Sequence, residues 1–295
     1  MSGRLSWKHD GHDWPNRDAS EFVAASGITW HVQRLGSGPT LLLLHGTGAS
    51  THSWRDLAPI LAERFTVIAP DLPGHGFTDA PARHRMSLPG MARQVAGLLR
   101  HLDLSPALAV GHSAGAAILA RMSLDDLAAP RGLVGLNGAW LPLRGVPGHL
   151  FQPIAKLLTL TPVMPHLFAW QAADRRAVER LIRDTGSTID AVGMGFYARL
   201  ARSPSHVAGA LDMMANWDLR GLRRDLARLE PPLLLVTGAN DRTIHPSETG
   251  RVRALLPQAE SASLARLGHL AHEEMPQPVA ELIFGFAERL RVLAA

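Results

Sequence analysis

Short blocks of consecutive apolar residues recur along the chain, separated by longer stretches that are apolar on one side only. Residues 41–44, 65–69, 107–110, 133–136 and 233–236 are such blocks, each bounded by Gly, Pro, Asn or Asp within a few positions. Runs this short and this uniformly apolar predict strands buried on both faces of a sheet. Between and after them, residues 88–101, 114–127, 246–256 and 278–290 carry helical patterning, and Ser53 is placed to cap a helix over 53–64. Two strand-like runs flank Gly27 within 22–35, a hairpin signal, and 261–267 predicts a weaker last strand. Strand, helix, strand, helix at this spacing predicts parallel βαβ units in one sheet.

The rhythm stops between residues 140 and 217. That segment has no strand signal, is rich in Leu, Met, Trp and Phe, and is punctuated by Pro142, Pro147, Pro153, Pro162, Pro165 and Pro204. It predicts a helical insert, 140–217, in an α/β domain made of 1–139 and 218–295. Within it Leu150, Phe151, Ile154, Leu157 and Leu158 share one helical face. Such a face packs onto the domain below, or forms an apolar lid able to touch a membrane surface as well. The first twenty residues predict an irregular lead-in.

Composition narrows the function classes. The chain has 295 residues, 46% of them hydrophobic, ample for a large core. It has no cysteine, which excludes disulfides, Cys-ligated metal and a thiol nucleophile. The formal charge is +4, and all basic residues but Lys8 and Lys156 are arginines, scattered among acids rather than gathered in a stripe; nucleic acid is therefore not an expected partner. No apolar stretch spans a membrane: 154–170 comes nearest and is interrupted by Lys156, Pro162, Pro165 and His166. With no secretory signal at Met1–Asp10, the expectation is a soluble, cytoplasmic protein. Neither G-x-x-x-x-G-K-[ST] nor G-x-G-x-x-G occurs, and His9, Asp10, His12 and Asp13 lack a metal-site pattern, so no cofactor and no metal are expected.

Gly111-His112-Ser113-Ala114-Gly115 is a G-x-S-x-G that ends one predicted strand and opens a helix. That context makes a nucleophile elbow, where small residues are needed because the serine sits on a strained turn. A serine hydroxyl needs a base, and the base needs an orienting group. In elbow-bearing sheets these follow in the order Ser, acid, His. Asp241 follows the predicted strand 233–236 and His269 follows the last strand, both at strand C-terminal ends, where chemistry gathers in parallel sheets. His272 competes as base. Asn137 stands where some relatives carry the acid, but an amide cannot stabilise an imidazolium as a carboxylate does; Asp212 and Asp218 are weaker candidates. Two backbone donors for an oxyanion are expected from Thr47, in His45-Gly46-Thr47-Gly48, and from Ala114. Asp71, in Asp71-Leu72-Pro73-Gly74-His75-Gly76, reads as a loop-organising carboxylate.

These motifs together resemble the α/β-hydrolase fold family over nearly the whole chain. The resemblance implies an eight-stranded, mostly parallel sheet with a helical cap after the sixth strand, and serine rather than aspartate at 113 argues against a dehalogenase or epoxide hydrolase. A narrower likeness, carried by residues 11–17 and 45–57, is to the family of magnesium-chelatase accessory proteins of bacteriochlorophyll biosynthesis. It implies a role beside magnesium insertion into protoporphyrin, with chelatase subunits as partners and a tetrapyrrole or other apolar molecule as substrate. Two functions fit: a serine hydrolase acting on an ester or related acyl bond, and a non-catalytic porphyrin-binding accessory protein.

Overall fold

A computed structural model describes residues 3–142, 163–171 and 174–294. The eight strands are β1 (Ser20–Ala25), β2 (Ile28–Leu35), β3 (Thr40–Leu44), β4 (Thr66–Pro70), β5 (Leu108–His112), β6 (Leu133–Leu136), β7 (Leu233–Gly238) and β8 (Glu260–Leu264). They form one sheet in the order β1-β2-β4-β3-β5-β6-β7-β8. β1 and β2 form the hairpin around Gly27, β2 runs antiparallel to β4, and every pair from β4 to β8 is parallel.

The uniform apolar blocks are explained by two cores. Leu42, Leu44, Ile68, Ala109, Leu133 and Leu235 point to one face, beneath the helices Leu88–His101 and Ala114–Leu124. Their neighbours Leu41, Leu43, Val67, Val110, Val134 and Val236 point to the other, beneath Leu57–Leu61 and Pro276–Arg289. Apart from the half-buried Thr40, Thr66 and Ala107 at or just before their starts, the residues of these strands are therefore buried whichever way they point. The edge strand β8 is short, alternates Ser with apolar residues and remains partly exposed.

Between β6 and β7 the described residues hold the helices Val163–Gln171, Arg175–Asp184, Ala191–Ala201, Pro204–Ala215 and Arg220–Asp225, the last followed by the 3-10 turn Leu226–Arg228. The apolar face at Leu150–Leu158 lies outside the described residues. No helix among the described residues is long and apolar enough to cross a membrane.

Two local expectations differ from the structure. Ser53 does not cap a helix over 53–64; its hydroxyl donates to the Ser50 carbonyl at 3.0 Å, Thr51–Trp54 forms a tight 3-10 turn, and the helix is only Leu57–Leu61. The lead-in is also more ordered than its polar pattern suggests. Trp14 is 2% exposed and packs edge-on against Phe77 and Phe196, while its Nε1 donates to Thr51 Oγ1 at 3.0 Å. Asp13, itself exposed, receives Arg199 in a two-pronged pair, with Nη2 to Oδ2 at 2.8 Å. This contact straps the lead-in to the helix Ala191–Ala201. No group of three or more His, Asp or Glu among the described residues could hold a metal ion.

Candidate active site

β5 ends at His112, and Ser113 turns the chain into the helix Ala114–Leu124 with φ 51° and ψ −115°. That backbone conformation is costly for a residue with a Cβ and persists only where neighbours hold it. Here the Ser113 N–H donates to Leu136 O at 3.0 Å, and its carbonyl accepts from Ala139 at 3.0 Å. The flanking glycines are sterically required. A Cβ at Gly111 would overlap the Ala116 nitrogen, and one at Gly115 would overlap the Leu44 carbonyl oxygen. Ser113 stays partly exposed between the buried His112 and Ala114.

Asp241 lies just past β7 and is 2% exposed. Its Oδ1 accepts the Thr243 and Ile244 N–H groups at 2.7 and 2.9 Å. Its Oδ2 accepts from His269 Nδ1 at 2.8 Å and from Asn137 Nδ2 at 2.7 Å. Four donors around one carboxylate hold it as a buried anion, a favourable arrangement only because all four are made. An ionised carboxylate places the His269 proton on Nδ1 and leaves Nε2 free to accept. Among the described residues, Ser113 and His269 do not share a hydrogen bond; catalytic bonds of this kind are often long before substrate arrives.

The competing candidates have other places. Asn137 donates to Asp241 and to Gly268 O at 3.3 Å, so it supports the acid rather than replacing it. His272 is 1% exposed, with its ring beside those of His112 and Trp54, and burial lowers its pKa to about 3. Asp218 pairs with Arg220, and Asp212 with Arg83 on the rim of a cleft of about 350 Å³ that Arg4, Pro165 and Pro204 also line.

At the same edge of the sheet, just past the C-terminal ends of the parallel strands β3 and β5, the N–H groups of Thr47 and Ala114 have no backbone acceptor among the described residues. Ala114 is the first residue of its helix, where N–H groups point outward unpaired. His45 Nε2 accepts the Leu72 N–H at 2.8 Å and its Nδ1–H donates to Gly46 O at 2.8 Å, pinning this loop to the one after β4. Asp71 organises that second loop. It accepts from Thr51 and Phe77 backbone N–H groups and contacts His31 Nδ1 at 2.8 Å. Although burial opposes it, the His31 contact leads the factors that hold this carboxyl well below the usual range.

Sequence reasoning missed several supports. His112 Nε2–H donates to the His269 carbonyl at 2.9 Å, and burial, reinforced by the nearby His272 and His269 rings, keeps it neutral. Glu274 accepts from Gly268 N–H at 2.8 Å and from Thr188 N–H at 3.1 Å, and Ser187 Oγ accepts from Leu270 N–H at 2.8 Å. The His269 loop is therefore held from beneath by the elbow and from above by the segment between β6 and β7. The only sequence signal for His112 was its place inside G-x-S-x-G; Glu274 and Ser187 had none.

Comparison with known proteins accounts for the architecture. A family model described as the alpha/beta hydrolase fold matches residues 39–276. The chain is 39% identical to the magnesium-chelatase 30 kDa subunit of Rhodobacter capsulatus, over 94% of this chain and 97% of that one. It is 26% identical to an sn-1-specific diacylglycerol lipase of Mus musculus, over 84% and 80%. An alpha/beta hydrolase fold protein from Burkholderia ambifaria superposes with a TM-score of 0.77 at 23% identity, covering 91% and 98%. A match of this extent, on a sheet of this order with its elbow after β5, means that the chain belongs to the α/β-hydrolase fold family.

Proposed function

We propose that the protein is a serine hydrolase that cleaves an ester or related acyl bond in an apolar substrate. The observation that carries this reading is the buried, four-fold-bonded Asp241 with Oδ2 at 2.8 Å from His269 Nδ1, beside an elbow serine in strained backbone. A structural ion pair alone would have no use for that serine conformation.

The chemistry runs as follows. His269 Nε2 takes the Ser113 Oγ proton as Oγ attacks the acyl carbon, and Asp241 stabilises the resulting imidazolium. The N–H groups of Thr47 and Ala114 donate to the oxyanion. Collapse expels the alcohol, which receives the proton from His269. Water, deprotonated by the same nitrogen, then hydrolyses the acyl-enzyme. No metal or organic cofactor takes part. Residues 140–217 are the cap that selects the substrate, over a core of 1–139 and 218–295.

The relative from Rhodobacter capsulatus supports a setting: cytoplasmic work beside magnesium insertion in bacteriochlorophyll biosynthesis, with a tetrapyrrole as substrate and chelatase subunits as partners. The same likeness favours a second reading, a porphyrin-binding accessory protein in which the site is not used for turnover.

A fluorophosphonate probe separates the two. Labelling of the wild type, lost in Ser113→Ala with an unchanged thermal midpoint, is the expected result. A folded wild type that resists the probe while its addition shifts the absorbance of protoporphyrin would support the accessory reading instead.

A further inference from the structure

The helix Pro204–Ala215 lies in the segment between β6 and β7, yet one of its faces holds the loop after β3, which borders the elbow, and the loop after β4. His206 Nδ1 accepts the Gly76 N–H at 3.0 Å, and its Nε2 meets the Gly48 carbonyl at 3.1 Å. One turn along, Gly209 lies so close to Gly74 that a Cβ would overlap the Gly74 carbonyl oxygen. A further turn along, Met213 Sδ accepts from the Thr47 hydroxyl at 3.5 Å. Positions 206, 209 and 213 follow helical spacing, so the three contacts share one stripe.

The tautomer of His206 follows from its partners. Because Nδ1 accepts an N–H, the ring proton is on Nε2, and Nε2–H donates to Gly48 O. The side chain is 3% exposed. Burial pushes its pKa down to about 4, against the Gly48 carbonyl and the Asp71 carboxylate and with the help of His45. The His75 ring stands edge-on at 5.3 Å. The imidazole is therefore neutral at neutral pH, the one form able to make both bonds.

Gly48 is the third residue of a turn closed by Ala49 N–H donating to Gly46 O at 3.2 Å, and it takes φ +78°. Thr47 is the second. Holding the Gly48 carbonyl fixes the rotation of that turn, and with it the direction of the Thr47 N–H.

We propose that His206 is a positioning residue for acyl transfer: through Nε2–H to the Gly48 carbonyl it sets the Thr47 N–H toward the oxyanion. This rests on the serine-hydrolase reading above. It means that the donor pair is complete only when the helix Pro204–Ala215 is seated, so the segment between β6 and β7 contributes to the rate as well as to substrate choice.

Two variants separate the two bonds of His206. His206→Gln keeps a donor at the reach of Nε2, and His206→Asn keeps an acceptor at the place of Nδ1 but loses the donor. Removing an oxyanion donor outright costs about 10²–10³ in rate, so a misdirected one is expected to cost about 10–100-fold. With p-nitrophenyl butyrate, His206→Asn should lose about 10–100-fold in kcat with KM changed less than about threefold, while His206→Gln stays within about threefold of wild type. A merely structural role would make the two variants fall together, and that result overturns the proposal, as does a folded Asn variant with wild-type kcat. Should the Asn variant fail to fold, the Gln variant decides: retention of kcat upholds the donor role and a tenfold loss overturns it. If the wild type itself neither hydrolyses the ester nor reacts with a fluorophosphonate, the serine reading falls, and this one with it. If the wild type reacts and only the variants disagree, this one falls alone.

Discussion

Replacing Asp241 by asparagine probes the site through its hydrogen-bond directions. The Thr243 and Ile244 N–H groups at 2.7 and 2.9 Å both demand an acceptor, so the new amide keeps its oxygen toward them. Its NH2 then occupies the place of Oδ2, facing the Asn137 Nδ2 donor at 2.7 Å and His269 Nδ1 at 2.8 Å. Asn137 can turn its own amide, bringing its unpartnered buried Oδ1 to the new NH2 and giving up its long bond to Gly268 O. His269 has no such freedom: it must present a lone pair at Nδ1 and carry its proton on Nε2, where it can no longer accept from Ser113. The expected loss is about 10⁴ in kcat, or about 5 kcal/mol of transition-state stabilisation at about 1.4 kcal/mol per decade. Stability should fall by only about 2–3 kcal/mol, the net worth of one or two hydrogen bonds to a charge. The assay is the rate of p-nitrophenyl butyrate hydrolysis, with phosphonylation by a fluorophosphonate as an active-site measure and a thermal melt as the fold control. A folded Asp241→Asn protein within tenfold of wild type would refute the orienting role of this carboxylate.

Two other expectations concern stability. Ser113→Gly should remove the strain of φ 51° and ψ −115°, worth about 1–3 kcal/mol, at an entropic cost of about 0.5–1 kcal/mol; a lower urea midpoint than wild type would show that the turn is not strained. Glu273 is buried, with Oε1 accepting from Tyr197 OH at 2.6 Å, and burial raises its pKa to about 8 despite that bond. Since the native state holds this proton longer than the unfolded chain does, the contribution is full below about pH 4.3 and is lost as pH rises toward 8. Glu273→Gln should flatten the decline of the thermal midpoint between pH 5 and 8, and parallel profiles for the two proteins would count against the buried neutral acid.

Much of the architecture could be read from local pattern. The blocks at 41–44, 65–69, 107–110, 133–136 and 233–236 announce doubly buried strands because both faces of the sheet are covered, which leaves no polar alternation to confuse the period. The elbow was legible for the same kind of reason: Gly111 and Gly115 meet steric demands that act within a few residues or across one neighbouring strand. Helix ends were less legible. Ser53 has the chemistry of a cap, but tertiary packing buries it and turns its hydroxyl to Ser50 instead.

What only the tertiary structure decided is which distant side chains meet. Asn137 and Asp241 are 104 residues apart and come together because β6 and β7 are neighbours in the sheet, an order that no period or spacing encodes. Sequence alone placed a carboxylate, an amide and two histidines at the right edge; the sheet order and the loop paths brought His269, not His272, to Asp241, and turned Asn137 into a donor. Trp14 and Asp13 likewise read as a polar lead-in until Thr51, Phe77, Phe196 and Arg199 close around them. His206 sits in a segment with no motif at all, and its meaning lies in a carbonyl 158 residues away. Local physics sets strands, helices and strained turns, because its range is a few residues. Partners for buried polar groups are set by how those elements pack, since each donor or acceptor must be satisfied by whatever the fold brings within reach.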